Sequence, residues 1–181
     1  MLKNRRLIFT ALASTVMLSA CGFKLRGSVL GENLPFKSIF VTPPDAANYS
    51  ANASLGAMLR RYIRGSGELE LKTSQKEAEV TLDLMSEVRN KVILSLNSQG
   101  RVREYMLYYN VTFRVLDSKG LILLEPTLIT LKRDMSYNES QALAKEAEEV
   151  TLYRDMQSDA VQQILRRLAG VKLVDNGPAE K

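Results

Sequence analysis

The longest regular pattern in the chain is an alternation of apolar and polar residues from residue 80 to residue 96. Apolar side chains occupy most even positions, and charged or polar side chains occupy most odd positions. A period of two residues is typical of a strand with one face in the core. The pattern predicts one long strand whose core face is formed by Val80, Leu82, Leu84, Val88, Val92, Leu94 and Leu96.

Two further strands are predicted to continue this one as a meander. Residues 97–100 (NSQG) and 117–120 (DSKG) are typical of tight turns. Apolar residues alternate from Tyr105 to Val115 between those turns, and a third strand follows at residues 121–131. Pro126 interrupts that strand, which favours an edge or a bulge. A short strand is also predicted earlier, at residues 36–41, where two prolines end it.

Two helices are predicted around these strands. The first has apolar residues at helical spacing after the N-cap candidates Asn52 and Ser54, and the glycines of residues 65–67 end it. The second extends from about residue 139 to 168, with Ser136 and Glu139 as a capping box. Its predicted core side is formed by Leu143, Ala147, Val150, Val161, Ile164 and Leu168.

The order of elements predicts an α+β fold. Two helices can both cover a sheet of this size only if they lie on the same face of it. We therefore expect a two-layer α/β sandwich, with two helices on one face of a roughly four-stranded mixed sheet. The domain is predicted to span residues 36–169, and residues 170–181 are expected to form a flexible tail.

The amino terminus has the pattern of a bacterial lipoprotein signal. Three basic residues precede fourteen uncharged residues at positions 7–20, and these make about 21 Å of helix, too short for a ~30 Å hydrocarbon core. Residues 1–20 are therefore expected to be a removed signal peptide. Residues 18–21 (LSAC) resemble a lipobox, which implies that Cys21 becomes an acylated first residue. Residues 21–35 would then be the lipidated N-terminus and tether, and two or more acyl chains anchor a protein stably.

Composition excludes many functions. The chain has no histidine and one cysteine, so it lacks the residues for a Ser-His-Asp triad, an internal disulfide or a cysteine-rich metal site. No phosphate-binding glycine loop is present. We expect no catalytic residue, no cofactor and no metal. Removal of Lys3, Arg5 and Arg6 with the signal reduces the net charge from +5 to +2, so basicity does not favour a nucleic-acid partner.

Two groups of residues remain as candidate contact sites. Arg89, Lys91, Arg101 and Arg103 flank the predicted hairpin turn and suit an anion such as a phosphorylated lipid headgroup. Alternatively, they are edge-strand charges that prevent aggregation. Tyr108 lies on the strand face opposite the predicted core and is a candidate for an interface.

Several short motifs together resemble one family. Residues 21–27 (CGFKLRG) directly follow the lipobox, Glu104 and Tyr105 follow the hairpin turn, and residues 142–145 (ALAK) open the last helix. With the order of elements, these motifs resemble the LptE family of LPS-assembly lipoproteins over essentially the whole mature chain.

The resemblance implies a non-enzymatic lipoprotein, anchored on the periplasmic side of the outer membrane. It would form a 1:1 complex with the β-barrel protein LptD, plug the barrel, and help to deliver lipopolysaccharide (LPS) to the cell surface. In the family, LPS contact is attributed to basic residues near the hairpin tip and to the lysine that Lys145 matches. No arginine precedes the turn here, so Arg101 and Arg103 are the nearest counterparts. A lipid- or lipoprotein-carrying lipoprotein and a carboxylate-based cell-wall hydrolase are the alternatives.

Overall fold

The computed structural model of the chain describes residues 34–42 and 54–173. The expected signal peptide, Cys21, most of the tether and residues 174–181 lie outside these ranges, so those assignments stay predictions. None of the helices in the described ranges is long and apolar enough to span a membrane.

The chain forms five strands and two helices. In chain order they are β1 (Ser38–Val41), α1 (Leu55–Ser66), β2 (Glu70–Leu71), β3 (Val80–Leu96), β4 (Val102–Asp117), β5 (Ile122–Ser136) and α2 (Ala142–Ala169). Single 3-10 turns precede β3 and α2, at Gln75–Glu77 and Glu139–Gln141.

The five strands form one mixed sheet in the order β2-β1-β3-β4-β5. β1 is parallel to both of its neighbours, whereas β3, β4 and β5 are antiparallel. The predicted α+β fold and the meander are confirmed. The sheet has five strands rather than four because β2, with two residues, is too short to leave a periodic pattern in the sequence.

Both helices pack on the same face of this sheet and share one hydrophobic core with it. Ser54 caps α1, as predicted: its Oγ accepts a hydrogen bond from the Ala57 amide at 3.3 Å. Gly67 ends that helix in the left-handed region, at φ 67°. Only glycine adopts this conformation without strain, which explains the stop.

The start of α2 differs from the prediction. Its buried residues begin at Tyr153, while Leu143 and Val150 are 84% and 59% exposed. The predicted core side is therefore wrong for the first half of the helix. The predicted capping box is also absent, because the side chain of Asn138 caps the preceding 3-10 turn by accepting a hydrogen bond from the Ser140 amide.

The predicted core face of β3 is correct only for its first residues. A register shift between Leu84 and Ser86 inserts an extra residue opposite β4. Such a bulge reverses which side chains face the core. Glu87 is consequently buried, while Val88 is 43% exposed on the opposite face. The predicted alternation through residue 96 is therefore wrong beyond Leu84. The sequence did not predict the bulge because no residue in it marks the insertion.

Candidate functional site

The bulge divides the molecule into two halves. We call the region beyond it the distal half: β3 from Glu87 onward, the paired part of β4 up to Tyr109, and α2 up to Leu152. All five basic candidate residues lie in or beside this half. Within it, the helix-facing side carries the charged residues, and the opposite side of the sheet has no helix over it.

Arg89 and Lys91 line a cleft of about 430 Å³ between β3 and α2, together with Glu149 and Tyr153. The Lys91 ammonium donates a hydrogen bond to Glu149 Oε2 at 2.6 Å. This bond raises the pKa of Lys91 above its usual value. Lys91 Nζ also lies 4.7 Å from the ring centre of Tyr105, within range of a cation–π interaction.

Arg101 and Arg103 line a second cleft, of about 460 Å³, at the tip of the hairpin. The Arg101 guanidinium lies 3.3 Å from the Glu139 carboxylate. The two side chains are 62% and 61% exposed, respectively. Tyr137 lines the same cleft and packs edge-on against Tyr105 at 5.2 Å. Since Tyr105 also contacts Lys91, this tyrosine pair joins the two clefts.

Lys145 is the most enclosed of the basic candidates, with a side chain only 14% exposed. Its ammonium donates to Ser136 Oγ at 3.0 Å and to Glu148 Oε2 at 2.8 Å. Because Ser136 pairs with Glu104 across β5 and β4, Lys145 lies beside the distal end of the sheet. The structure thus brings a residue from the ALAK motif next to the hairpin residues.

A buried carboxylate that the sequence did not single out holds the two halves together. Glu87 accepts hydrogen bonds from the Tyr109 hydroxyl at 2.7 Å, from Gln157 Nε2 at 2.9 Å and from the Leu55 amide at 3.1 Å. Burial, and then the Glu87 charge, raises the pKa of the Tyr109 hydroxyl well above 10. Arg89 lies 3.8 Å from the same carboxylate and stacks over the Tyr153 ring at 5.2 Å.

Aliphatic side chains are exposed at the end of the hairpin. Val92, Ile93, Leu94 and Leu96 are 46–56% exposed. Successive side chains of a strand point to opposite faces, so Val92 is exposed on the open face and Ile93 on the helix-facing side. The distal half therefore combines cationic groups with apolar surface, an arrangement that suits an amphipathic ligand.

Tyr108 lies on the open face of the sheet, where β3 and β5 place Asn90 and Lys132 beside it. Val88 and Leu128 are 43% and 59% exposed on this face. The structure places Tyr108 on the side opposite the helices, as the alternation of β4 implies. Its role in an interface stays a prediction.

A family model described as LptE, lipopolysaccharide-assembly, matches residues 36–168. The chain belongs to the LptE family. This match covers both helices almost completely and all five strands, so it includes the distal half and the basic candidates. It confirms the resemblance seen in the sequence.

LPS-assembly lipoproteins of two other bacteria align over most of the chain. The LPS-assembly lipoprotein LptE of Photorhabdus laumondii is 27% identical over 171 residues, which cover 93% of this chain and 88% of the relative. That of Yersinia enterocolitica is also 27% identical over 171 residues, covering 91% and 76%.

Solved structures of lipoproteins share the fold. Lipoprotein B of Nitrosomonas europaea, solved by NMR in solution, superposes with a TM-score of 0.67 at 39% identity, covering 82% of this chain and 91% of that one. Rare lipoprotein B of Shewanella oneidensis gives 0.61 at 25% identity, covering 74% and 95%.

Family membership also answers the question of catalysis. LptE is a family of non-enzymatic proteins of LPS assembly, so the prediction that the chain is not an enzyme is confirmed. In residues 34–42 and 54–173, no group of three or more cysteine or carboxylate side chains is arranged to hold a metal ion.

Proposed function

We propose that this LptE protein contacts LPS through its distal half while it serves as the plug of an outer-membrane β-barrel partner, LptD. The proposed LPS contact is supported by the presence of both basic residues and exposed aliphatic residues in the distal half. LPS is itself amphipathic, with phosphates on a sugar headgroup above acyl chains. Both chemistries have a complement in the distal half.

The basic residues suit the phosphates of that headgroup. Arginine presents a planar set of donors that matches a phosphate, and a lysine ammonium binds it as a compact charge. Arg101 and Arg103 line the tip cleft, while Lys145 lies at the end of β5 near it. Ile93 is exposed on the same side of β3 as Lys91 and would contact acyl chains, with burial worth about 25 cal/mol per Å².

Charge reversal tests the LPS contact. We expect Lys145→Glu with Arg101→Glu to weaken binding of the purified mature chain to LPS by about tenfold or more at low salt, which corresponds to about 1.4 kcal/mol. The difference should shrink as salt is added, because salt screens the exposed charge at position 101. Titration against labelled LPS over a salt series measures this.

The matched control reverses two exposed charges in the other half. Arg61 and Arg64 lie on α1, far along the chain from the hairpin, and both are exposed. Arg61→Glu with Arg64→Glu makes the same change in net charge and should leave LPS affinity near that of the unaltered protein. Equal losses in both double variants would contradict an LPS site in the distal half.

The open face of the sheet is the proposed contact with the barrel wall. It carries Tyr108, Val88 and Leu128 and has no helix over it. Tyrosine is enriched at the centre of interfaces because it buries a large area and keeps a polar end. A 1:1 complex of this kind needs no catalytic group, in agreement with the composition.

Co-purification tests this partnership. We expect a stoichiometric, detergent-stable complex with the barrel protein, and reduced recovery of the barrel with Tyr108→Asp. Tyr62→Asp is the control, because Tyr62 is 43% exposed on α1 and not on the open face. A chain that stays monomeric throughout purification would overturn the proposal.

Anchoring is proposed through Cys21 to the periplasmic side of the outer membrane. Gly22 follows the cysteine where an aspartate would favour the inner membrane in the enterobacterial sorting rule. Cys21→Ala is expected to abolish incorporation of labelled palmitate. Labelling that persists in this variant would show that the lipid is attached elsewhere.

A further inference from the structure

Four of the five basic candidates already contact a carboxylate of the same chain. The pairs are Lys91 with Glu149 at 2.6 Å, Lys145 with Glu148 at 2.8 Å, Arg101 with Glu139 at 3.3 Å and Arg89 with Glu87 at 3.8 Å. Three of these carboxylates belong to one stretch of chain, residues 139–149. We call Glu139, Glu148 and Glu149 the acidic segment.

We propose that the acidic segment competes with LPS phosphates for the basic residues, so that the ligand binds by exchange of a carboxylate partner for a phosphate. This inference rests on the proposed LPS contact and adds its regulation. The segment acts as a built-in anion that occupies the cations while no ligand is present.

The exposure of the pairs permits such an exchange. Glu149 is 23% exposed and Glu148 is 44% exposed, and Glu139 is more exposed still. An exposed ion pair such as Arg101–Glu139 contributes about 0–1 kcal/mol, since water screens it and the side chains lose rotational freedom. A phosphate with two or three cations around it offers stronger, charge-assisted hydrogen bonds and can displace the carboxylate.

Glu87 behaves differently and is not part of this exchange. Its side chain is fully buried and accepts three hydrogen bonds from groups that it would leave unpaired. An acceptor in that position is costly to remove. The exchangeable carboxylates are therefore Glu148 and Glu149, at the start of α2, and Glu139, in the 3-10 turn that precedes it.

The chain offers a close control in Glu146. It lies on the same turn of α2 as Glu149 and lines the same cleft beside Lys91, but it forms no ion pair with any residue in 34–42 or 54–173. Glu149→Gln and Glu146→Gln change the net charge equally in the same place. Only the first releases a basic residue.

The experiment measures affinity of the purified mature chain for LPS micelles. We expect Glu149→Gln to bind LPS about two- to fivefold more tightly than the unaltered chain, which is the change in affinity that the loss of one weak ion pair produces. Glu146→Gln should show a clearly smaller gain in affinity. In a Lys91→Gln background, Glu149→Gln should give no gain, because no cation remains to be released. Dephosphorylated LPS should remove the gain as well.

The outcomes separate the exchange from the LPS contact itself. Equal gains in Glu149→Gln and Glu146→Gln would overturn the exchange and indicate a general charge effect. A gain that persists without Lys91 or without LPS phosphates would overturn it too. If Lys145→Glu with Arg101→Glu weakens binding but Glu149→Gln changes nothing, the contact stands and the exchange fails. If neither the unaltered chain nor Glu149→Gln binds LPS, the contact fails and the exchange with it.

Discussion

The two ends of β3 have similar sequences and opposite environments. Val80, Leu82 and Leu84, before the bulge, are 0–3% exposed, whereas Val92, Leu94 and Leu96, beyond it, are 46–54% exposed. Both ends pair with β4 in the same antiparallel ladder. The difference follows from the bulge, which turns Val92 to the open face of the sheet, where no helix covers it.

The covering layer changes character along the strand. Over the first part of β3, helices contribute aliphatic side chains such as Leu59 and Ile164, which complete a close-packed core. Over the distal half, α2 contributes charged groups such as Glu146 and Glu149 instead. Half of the domain is thus built for stability, while the other half keeps side chains available for contacts.

The largest expected effect comes from truncation of equivalent residues at the two ends. Leu82→Ala should lower the free energy of unfolding by about 2–5 kcal/mol, because it leaves a cavity in the core. Leu94→Ala should change it by less than about 0.5 kcal/mol, since that side chain is already in water. Urea unfolding of the two variants measures this. Similar losses would mean that the distal half is covered in the isolated protein.

An intermediate effect is expected at the junction of the two halves. Glu87→Ala removes the acceptor of three buried hydrogen bonds and should cost about 1–3 kcal/mol of stability, through donors left unpaired. Glu87→Gln keeps one acceptor oxygen and should cost less. Unfolding curves of both variants test this order, and a Glu87→Ala protein as stable as the original would show that Glu87 does not join the halves.

The smallest expected effect is a dependence of stability on alkaline pH. The raised pKa of Tyr109 means that the folded chain keeps its phenol proton above pH 10 while the unfolded chain loses it. The folded state then holds more protons than the unfolded state, so the free energy of unfolding falls as pH rises. This group lowers it by at most about 1.4 kcal/mol per pH unit. Tyr109→Phe should flatten the slope between pH 10 and 11, and identical slopes would contradict this assignment.

Periodicity predicted most of the fold and failed where no local signal exists. The turns, the meander and the limits of α1 follow from glycine, cap and alternation patterns. The bulge after Leu84 does not, because it depends on how β3 pairs with β4 and on the stabilisation that Glu87 gains from α1 and α2. The exposed first half of α2 was missed since a helical stripe shows amphipathicity but not what lies opposite.

The candidate site was predictable as a set of residues but not as an arrangement. Hairpin position and the family motif selected Arg101, Arg103 and Lys145. The pairing of Lys91 with Glu149 joins residues 58 positions apart and required the packing of α2 on β3. The sequence likewise places Glu148 and Glu149 side by side but does not show that they pair with Lys145 and Lys91.

The long β3–β4 ladder has a further consequence for local opening. Hydrogen bonds near Val80 can break only when the core opens, whereas those near Leu96 are flanked by water on both faces of the sheet. The free energy of opening should therefore fall along a single continuous strand. In hydrogen exchange, amides close to Gly100 should exchange through fraying of the hairpin and those close to Leu82 only through global unfolding. We therefore expect the tip of the hairpin to open locally while the base of β3 stays folded.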